Sequence, residues 1–272
     1  MEPIGVELVE EVVARLRAAG CVYAEEEAGI LLEAAGDSTV LAGLLRRRVA
    51  GDPLEHIVGW AGFCGLRVKV APGVFVPRRR TEFLVARALE VLRTAPAGCF
   101  LDLCCGSGAV GAALAAALPG VGVHAADIDP AAAACAVENL APYGGRVQCG
   151  DLFSPLPEDF RHSFTAIVAN APYVPEDDIA FMPPEARLHE PGTALNGGPD
   201  GLALHRRIAA EAPGWLQPGG WLLLETSARQ ASRTLVILEH GGFSATAAHS
   251  GEVDGTVVAG QLRGGRAATP AP

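Results

Sequence analysis

Lysine is almost absent from this 272-residue chain: Lys69 is the only one, and every other basic residue among the 21 is an arginine. Against 31 acidic residues they leave a formal net charge of −10. Few cations remain to neutralise a phosphate backbone, which argues against direct nucleic-acid binding. The seven cysteines are an odd number and contain no Cys-x-x-Cys pair, so neither a disulfide framework nor a zinc site is expected, only reduced thiols and no metal. No apolar run is long enough to span a bilayer, and no basic segment leads into a signal-like stretch. A soluble, cytoplasmic protein is the expectation. Internal repeats are also missing, and the alanine-rich stretches 112–117 and 131–136 read as closely packed helices.

What is present is apolar material: half of the residues are hydrophobic, enough for one large domain or a medium one with a small partner. Val6, Val9, Val13 and Leu16 recur at helical spacing, and two further helical segments follow over 25–35 and 39–50 before Asp52-Pro53 breaks the pattern. The arginine run 46–48 reads as a solvated helix face. Leu66, Val68 and Val70 alternate as in a half-buried strand, and with residues 73–76 beyond a Pro-Gly turn they predict a hairpin. From Thr81 onward helix and strand alternate. Strands are predicted at 99–103, 122–126, 146–149, 165–169 and 220–224, and a terminal hairpin at 243–248 and 256–261. This order predicts an α/β fold with a seven-stranded, mainly parallel sheet.

The first strand of that series runs into Gly106-Ser107-Gly108-Ala109-Val110-Gly111, a Gly-x-Gly-x-x-Gly turn that opens a helix. An acid, Asp127, ends the next strand and is placed for ribose hydroxyls. Asp129-Pro130 after it reads as a helix cap with proline in the first turn. Such a turn serves dinucleotides as well, but Asp102 stands four residues before Gly106. A carboxylate there would repel a pyrophosphate and suits a cofactor with a cationic amino-acid end, S-adenosylmethionine. The candidate cofactor-binding residues are Asp102, Cys104, Cys105, Gly106, Ser107, Gly108, Asp127 and Ile128. Asp151 and Leu152 beyond the third strand could flank an adenine, and Asn170 completes the set.

Residues 164–169 are strand formers that end on Asn170, with Ala171, Pro172 and Tyr173 directly after. The carboxamide both donates and accepts, the proline stiffens the backbone, and the tyrosine adds a flat face. These four residues are the candidate catalytic group, able to grip a planar amide or amino group by edge and face.

With these motifs the chain resembles the bacterial HemK/PrmC methyltransferases, which methylate a glutamine side-chain amide in peptide-chain release factors. The resemblance runs from about Asp52 to Gly260. It rests on Asp52-Pro53-Leu54-Glu55-His56, Val76-Pro77-Arg78 with Thr81-Glu82, the Asp102–Gly108 loop, Asp127, Gly150–Phe153 and Asn170–Tyr173, and continues through His189-Glu190-Pro191, Asn196–Leu202 and Pro218–Trp221. It implies a Rossmann-like class I S-adenosylmethionine-dependent methyltransferase domain over 77–263. Before it would lie a helical substrate-docking module over 1–52 and a β-hairpin connector over 53–76, and after it a disordered tail over 264–272. It further implies that Asn170 and the Ala171 carbonyl hold the NH2 of a glutamine, that Tyr173 packs on the amide plane, and that His189 and Glu190 belong to a loop closing the site. The partner implied is a protein carrying that glutamine, a release factor first, with the enzyme acting as a monomer. Methylation of an exocyclic amine on a nucleic-acid base, or cofactor binding without catalysis, are the alternatives. Three features depart from the family pattern. Ala171 stands where a proline is usual, Arg80 stands where an acid is usual, and the helical section before Asp52 is shorter.

Overall fold

A computed structural model describes residues 6–94 and 98–264; residues 265–272 of the expected tail lie outside that range. The chain opens with four helices, α1 (Val6–Ala18), α2 (Ala24–Ala34), α3 (Ser38–Val49) and α4 (Leu54–Val58). Asp37 caps α3, its carboxylate accepting from the Thr39 and Val40 amides at 2.8 and 2.9 Å. Val12, Leu16, Leu31, Leu41, Leu45 and Ile57 form a buried core shared by the four helices. Arg48 does not lie on a solvated face as the sequence suggested. Its side chain is 12% exposed and pairs with Glu27 of α2 and with Glu185, far along the chain.

The hairpin is real but displaced. Strands β1 (Trp60–Phe63) and β2 (Leu66–Lys69) pair antiparallel around Cys64-Gly65. Both turn residues have positive φ, 49° and 76°, as a tight two-residue hairpin turn requires. The strand that pairs with Leu66–Lys69 thus precedes it across a tight turn instead of following it at residues 73–76. Residues 73–76 form no strand; Val74 and Val76 are instead buried in a small cluster with Ala132 and Cys135.

The remaining elements are α5 (Glu82–Leu92), β3 (Cys99–Leu103), α6 (Ala109–Ala117), β4 (Gly122–Asp127), α7 (Pro130–Leu140), β5 (Arg146–Cys149), β6 (Phe164–Ala169), α8 (Pro184–His189), α9 (Ala203–Glu211), β7 (Leu216–Thr226), α10 (Ala231–His240), β8 (Phe243–Ser250) and β9 (Gly255–Leu262). Asp129 caps α7 as expected, accepting from the Ala131 amide at 2.8 Å. The seven-stranded sheet has the order β5-β4-β3-β6-β7-β9-β8, with all pairs parallel except those of β9. Side chains alternate between two buried faces. Phe100, Ala166, Val168 and Leu223 pack with α5 and α6, while Leu101, Ile167, Leu222 and Leu224 pack with α9 and α10. Burial on both faces explains why the central strands read as apolar runs.

The chain leaves β3 toward β4 on one side and later returns to β6 on the other. The crevice beyond the carboxyl ends of β3 and β6 is therefore the topological switch point, where open α/β sheets bind ligands. Leu103 pairs with Ala169 and Ala169 with Leu224. Cys104, Asn170 and Glu225 thus stand at one level at the carboxyl edge of the sheet.

Candidate active site

A cavity of about 600 Å³ lies at this switch point, and Asp102, Asp127, Leu152, Asn170 and Tyr173 are among the residues that line it. That volume suits a small-molecule ligand.

Its first half is made by the turns after β3 and β4. Cys104 (φ 57°) and Gly106 (φ 55°) bend the chain sharply. Gly108 (φ 77°) opens α6, and a Cβ there would stand 3.0 Å from the Ala136 Cβ, so glycine permits the close approach of α6 to α7. Asp102 is 2% exposed, and its Oδ2 accepts from the Gly111 amide at 2.8 Å. Burial pushes its carboxyl up to about 8, opposed by the Gly111 bond and reinforced by the Asp127 charge. No basic side chain among the described residues forms an ion pair with it. Asp127 ends β4 and accepts from the Gly106 and Asp129 amides at 2.8 and 2.9 Å; burial raises its carboxyl as well. Ile128 lines the cavity and is otherwise exposed. Leu152 is buried at positive φ, and Asp151 pairs with Arg207 at 2.8 Å. The Cys104 and Cys105 thiols are held up by burial and remain neutral. Ser107 is buried, its carbonyl accepting from Asn139 at 2.8 Å.

The second half follows β6. Asn170 Nδ2 donates to Thr81 Oγ1 at 3.3 Å, while the Oδ1 accepts no hydrogen bond from the described residues. The Ala171 carbonyl is likewise unbonded, and Ala171 and Pro172 line the cavity. The Tyr173 hydroxyl donates to Glu225 Oε1 at 3.3 Å, and burial holds that phenol well above its ordinary value. The backbone beyond is clamped: Val174 donates to the Leu195 carbonyl at 3.1 Å, and Gly197 to the Val174 carbonyl at 2.8 Å. Gly201 lies against this strand-like segment. A Cβ at its φ of 72° would stand 2.4 Å from the Tyr173 carbonyl oxygen, which is why the 196–202 turn needs glycine there.

Sequence reasoning missed Glu225. It is 1% exposed at the end of β7 and meets Tyr173, Thr81 and Arg80, the last at 3.4 Å. Its one signal is a charge that closes the apolar run Leu222–Leu224. Arg80, which departs from the family pattern, is paired here with Glu225. Glu190 is also buried, bonding the Val76 amide at 3.2 Å and Arg78 at 2.5 Å. His189 lies outside the cavity lining.

A family model described as "Methyltransferase small domain" matches residues 65–198. A protein of Geobacter sulfurreducens named release factor glutamine methyltransferase is 42% identical over 204 residues, covering 74% of this chain and 70% of its own. One of the same name from Deinococcus radiodurans is 37% identical over 259 residues, covering 88% and 91%. Among solved structures, a methyltransferase from Pyrococcus furiosus superposes with a TM-score of 0.54 at 16% identity, covering 82% of this chain and 99% of that one. At that identity the likeness concerns the fold.

Proposed function

The chain belongs to the release factor glutamine methyltransferase family, and from that premise we propose that it methylates the side-chain amide nitrogen of a glutamine in a peptide-chain release factor. The observation that carries the reading is the pair of unbonded acceptors, Asn170 Oδ1 and the Ala171 carbonyl, on residues that line a cavity whose other half suits S-adenosylmethionine.

The residues present fit that cofactor. Asp102 is a buried carboxylate without a cation, and the ammonium of the cofactor's amino-acid end supplies one. Asp127 retains lone pairs for ribose hydroxyls, and Ile128 and Leu152 offer apolar surface to the adenine. When bound, the cofactor supplies a methyl group activated on a sulfonium.

The protein's own contribution is orientation. An amide nitrogen is a poor nucleophile because its lone pair is delocalised into the carbonyl. Two acceptors aimed at its hydrogens favour the pyramidal nitrogen that develops as it attacks, and Tyr173 holds the amide plane. In-line placement then matters more than a strong base, consistent with neutral thiols and no histidine in the lining. The helical section 1–52 is read as the docking element for the protein substrate.

The reading includes a cytoplasmic monomer that binds neither membrane nor nucleic acid directly. The net charge of −10 supports the last point. No helix among the described residues is long and apolar enough to cross a membrane. The test offers release factor, other cellular proteins and duplex DNA side by side with methyl-labelled S-adenosylmethionine. Label on a release-factor glutamine is expected. Label on DNA alone overturns the reading, and label on another protein's glutamine corrects the partner.

A further inference from the structure

Asn170 is useful only one way round. With its oxygen toward the cavity it accepts from a substrate NH2; with its nitrogen there it presents hydrogens to hydrogens. A carboxamide alone has no strong preference, so something behind it must set the polarity.

The group behind it is Thr81, 2% exposed at the head of α5, whose Oγ1 stands 3.3 Å from Asn170 Nδ2. A hydroxyl carries one proton. If that proton points at Asn170, the carboxamide must turn its oxygen inward, away from the cavity. Behind Thr81 is Glu225, which an ionised carboxylate makes an acceptor only. Its Oε1 accepts from Tyr173 at 3.3 Å and faces Arg80 at 3.4 Å. Its Oε2 is buried with no hydrogen-bond partner among the described residues, leaving acceptor capacity for the Thr81 hydroxyl, which lies near enough to favour the charged carboxylate. Burial raises the carboxyl, whereas Thr81, Arg80 and Tyr173 each favour the charged form, Thr81 most.

We infer that Glu225 is a positioning residue: it draws the Thr81 proton toward itself, so that Thr81 can only accept from Asn170 and the Asn170 oxygen is fixed toward the acceptor amide. The same carboxylate orients Tyr173, so one buried charge sets both the edge and the face of the acceptor site. The register of the sheet makes this possible. Ala169 pairs with Leu224, which puts Glu225 level with Asn170, and by strand alternation both continue the α5-facing row of Ala166, Val168 and Leu223. The inference deepens the glutamine reading and rests on it for the identity of the acceptor.

Neutron diffraction on the perdeuterated protein tests the polarity without any substrate. The expected map has the Thr81 deuteron directed at Glu225 and the Asn170 ND2 group facing Thr81. A Thr81 deuteron directed at Asn170, or the Asn170 oxygen facing Thr81, overturns the inference. Kinetics supply the second arm, using full-length protein and a release factor as acceptor. Thr81→Val and Glu225→Gln should each lower kcat by about tenfold or more with S-adenosylmethionine Kd unchanged in calorimetry. Thr81→Ser, which keeps the hydroxyl, should stay within about twofold. The double variant should be no worse than the poorer single one, because both break one chain of bonds. Wild-type kcat in Thr81→Val, or independent losses that multiply, sinks the relay. If wild type labels no glutamine while the neutron map has the expected polarity, the proposed substrate fails and the relay stands.

Discussion

Around Asp102 and Asp127 the cavity wall consists of consecutive backbone turns carrying carboxylates that bond to amides but pair with no cation among the described residues. Around Asn170 and Tyr173 it consists of side chains from separate stretches, Thr81 bonded to Asn170 and both Tyr173 and Arg80 bonded to Glu225. The first half holds no cation of its own for these acids among the described residues, so Asp102 keeps its proton until a ligand supplies a cation. The second compensates itself, spending a buried carboxylate on geometry rather than on binding. A cofactor that brings its own cation can be met by an incomplete site. A neutral amide brings no charge, so the protein must fix the acceptors in advance.

This contrast predicts that damage to the two halves separates in kinetics. The largest effect is expected at Asn170. Asn170→Ala should cut turnover by about 100-fold or more, as loss of a transition-state contact does, while S-adenosylmethionine affinity stays within severalfold. Near-normal turnover would remove Asn170 from the acceptor role. Asp127→Ala should do the reverse. Loss of a charge-assisted hydrogen bond worth roughly 1.5–3 kcal/mol should weaken cofactor binding by roughly ten- to 150-fold in calorimetry. Unchanged affinity would mean that Asp127 serves only the Gly106 and Asp129 amides it already holds.

The same contrast explains what could be read in advance. The cofactor half was legible because strand, glycine turn and capping acid are contiguous, and each imposes its own residue type. The parallel core was legible because strands buried on both faces are apolar throughout. Asn170 was legible because its strand ends on it. Glu225 was not, since its meaning depends on the β6–β7 register and on Thr81 at the head of α5, neither of which a local pattern carries. Arg48 failed for the same reason: two glutamates from distant segments bury what a helical pattern leaves in solvent. The hairpin was half legible: Leu66 and Val68 lie in β2, but its partner β1 precedes it across the left-handed Cys64-Gly65 turn instead of following at residues 73–76.

Asp102→Asn sharpens the idea of a site completed by its ligand. The Asp102 carboxyl is pushed up from 3.8 to about 8, so in the free protein it binds its proton more tightly than in the unfolded chain. Stability therefore falls as pH rises from about 4 to about 8, wherever the native state holds the extra proton. The asparagine variant lacks this loss. Its ligand-free Tm should exceed that of wild type by a margin that grows across that window and levels off above it. Its cofactor affinity should be lower, by about tenfold. Binding to wild type at pH 6–7 should release a proton as Asp102 ionises beside the ammonium, seen as a buffer-dependent calorimetric enthalpy. The variant should release less. Equal Tm profiles and equal proton release would show that Asp102 is not the uncompensated group.

The smallest effect is expected at Ala171, where the family pattern has proline. Ala171 is buried, and its amide donates no hydrogen bond to the described residues. Proline there would sacrifice no bond, and Pro172 already biases the preceding residue toward an extended backbone. The Ala171 carbonyl survives the substitution, so the acceptor pair is retained. Ala171→Pro should therefore change kcat by less than about threefold and raise stability by about 0.4–1 kcal/mol through a stiffer unfolded chain. The acceptor half holds its shape by the clamp on Val174 and by the Glu225 cluster rather than by a rigid dipeptide. A much faster enzyme with proline at 171 would break that view, because it would mean the loop is loose despite those contacts. A slower and less stable one would mean that the Ala171 backbone occupies a conformation proline cannot adopt.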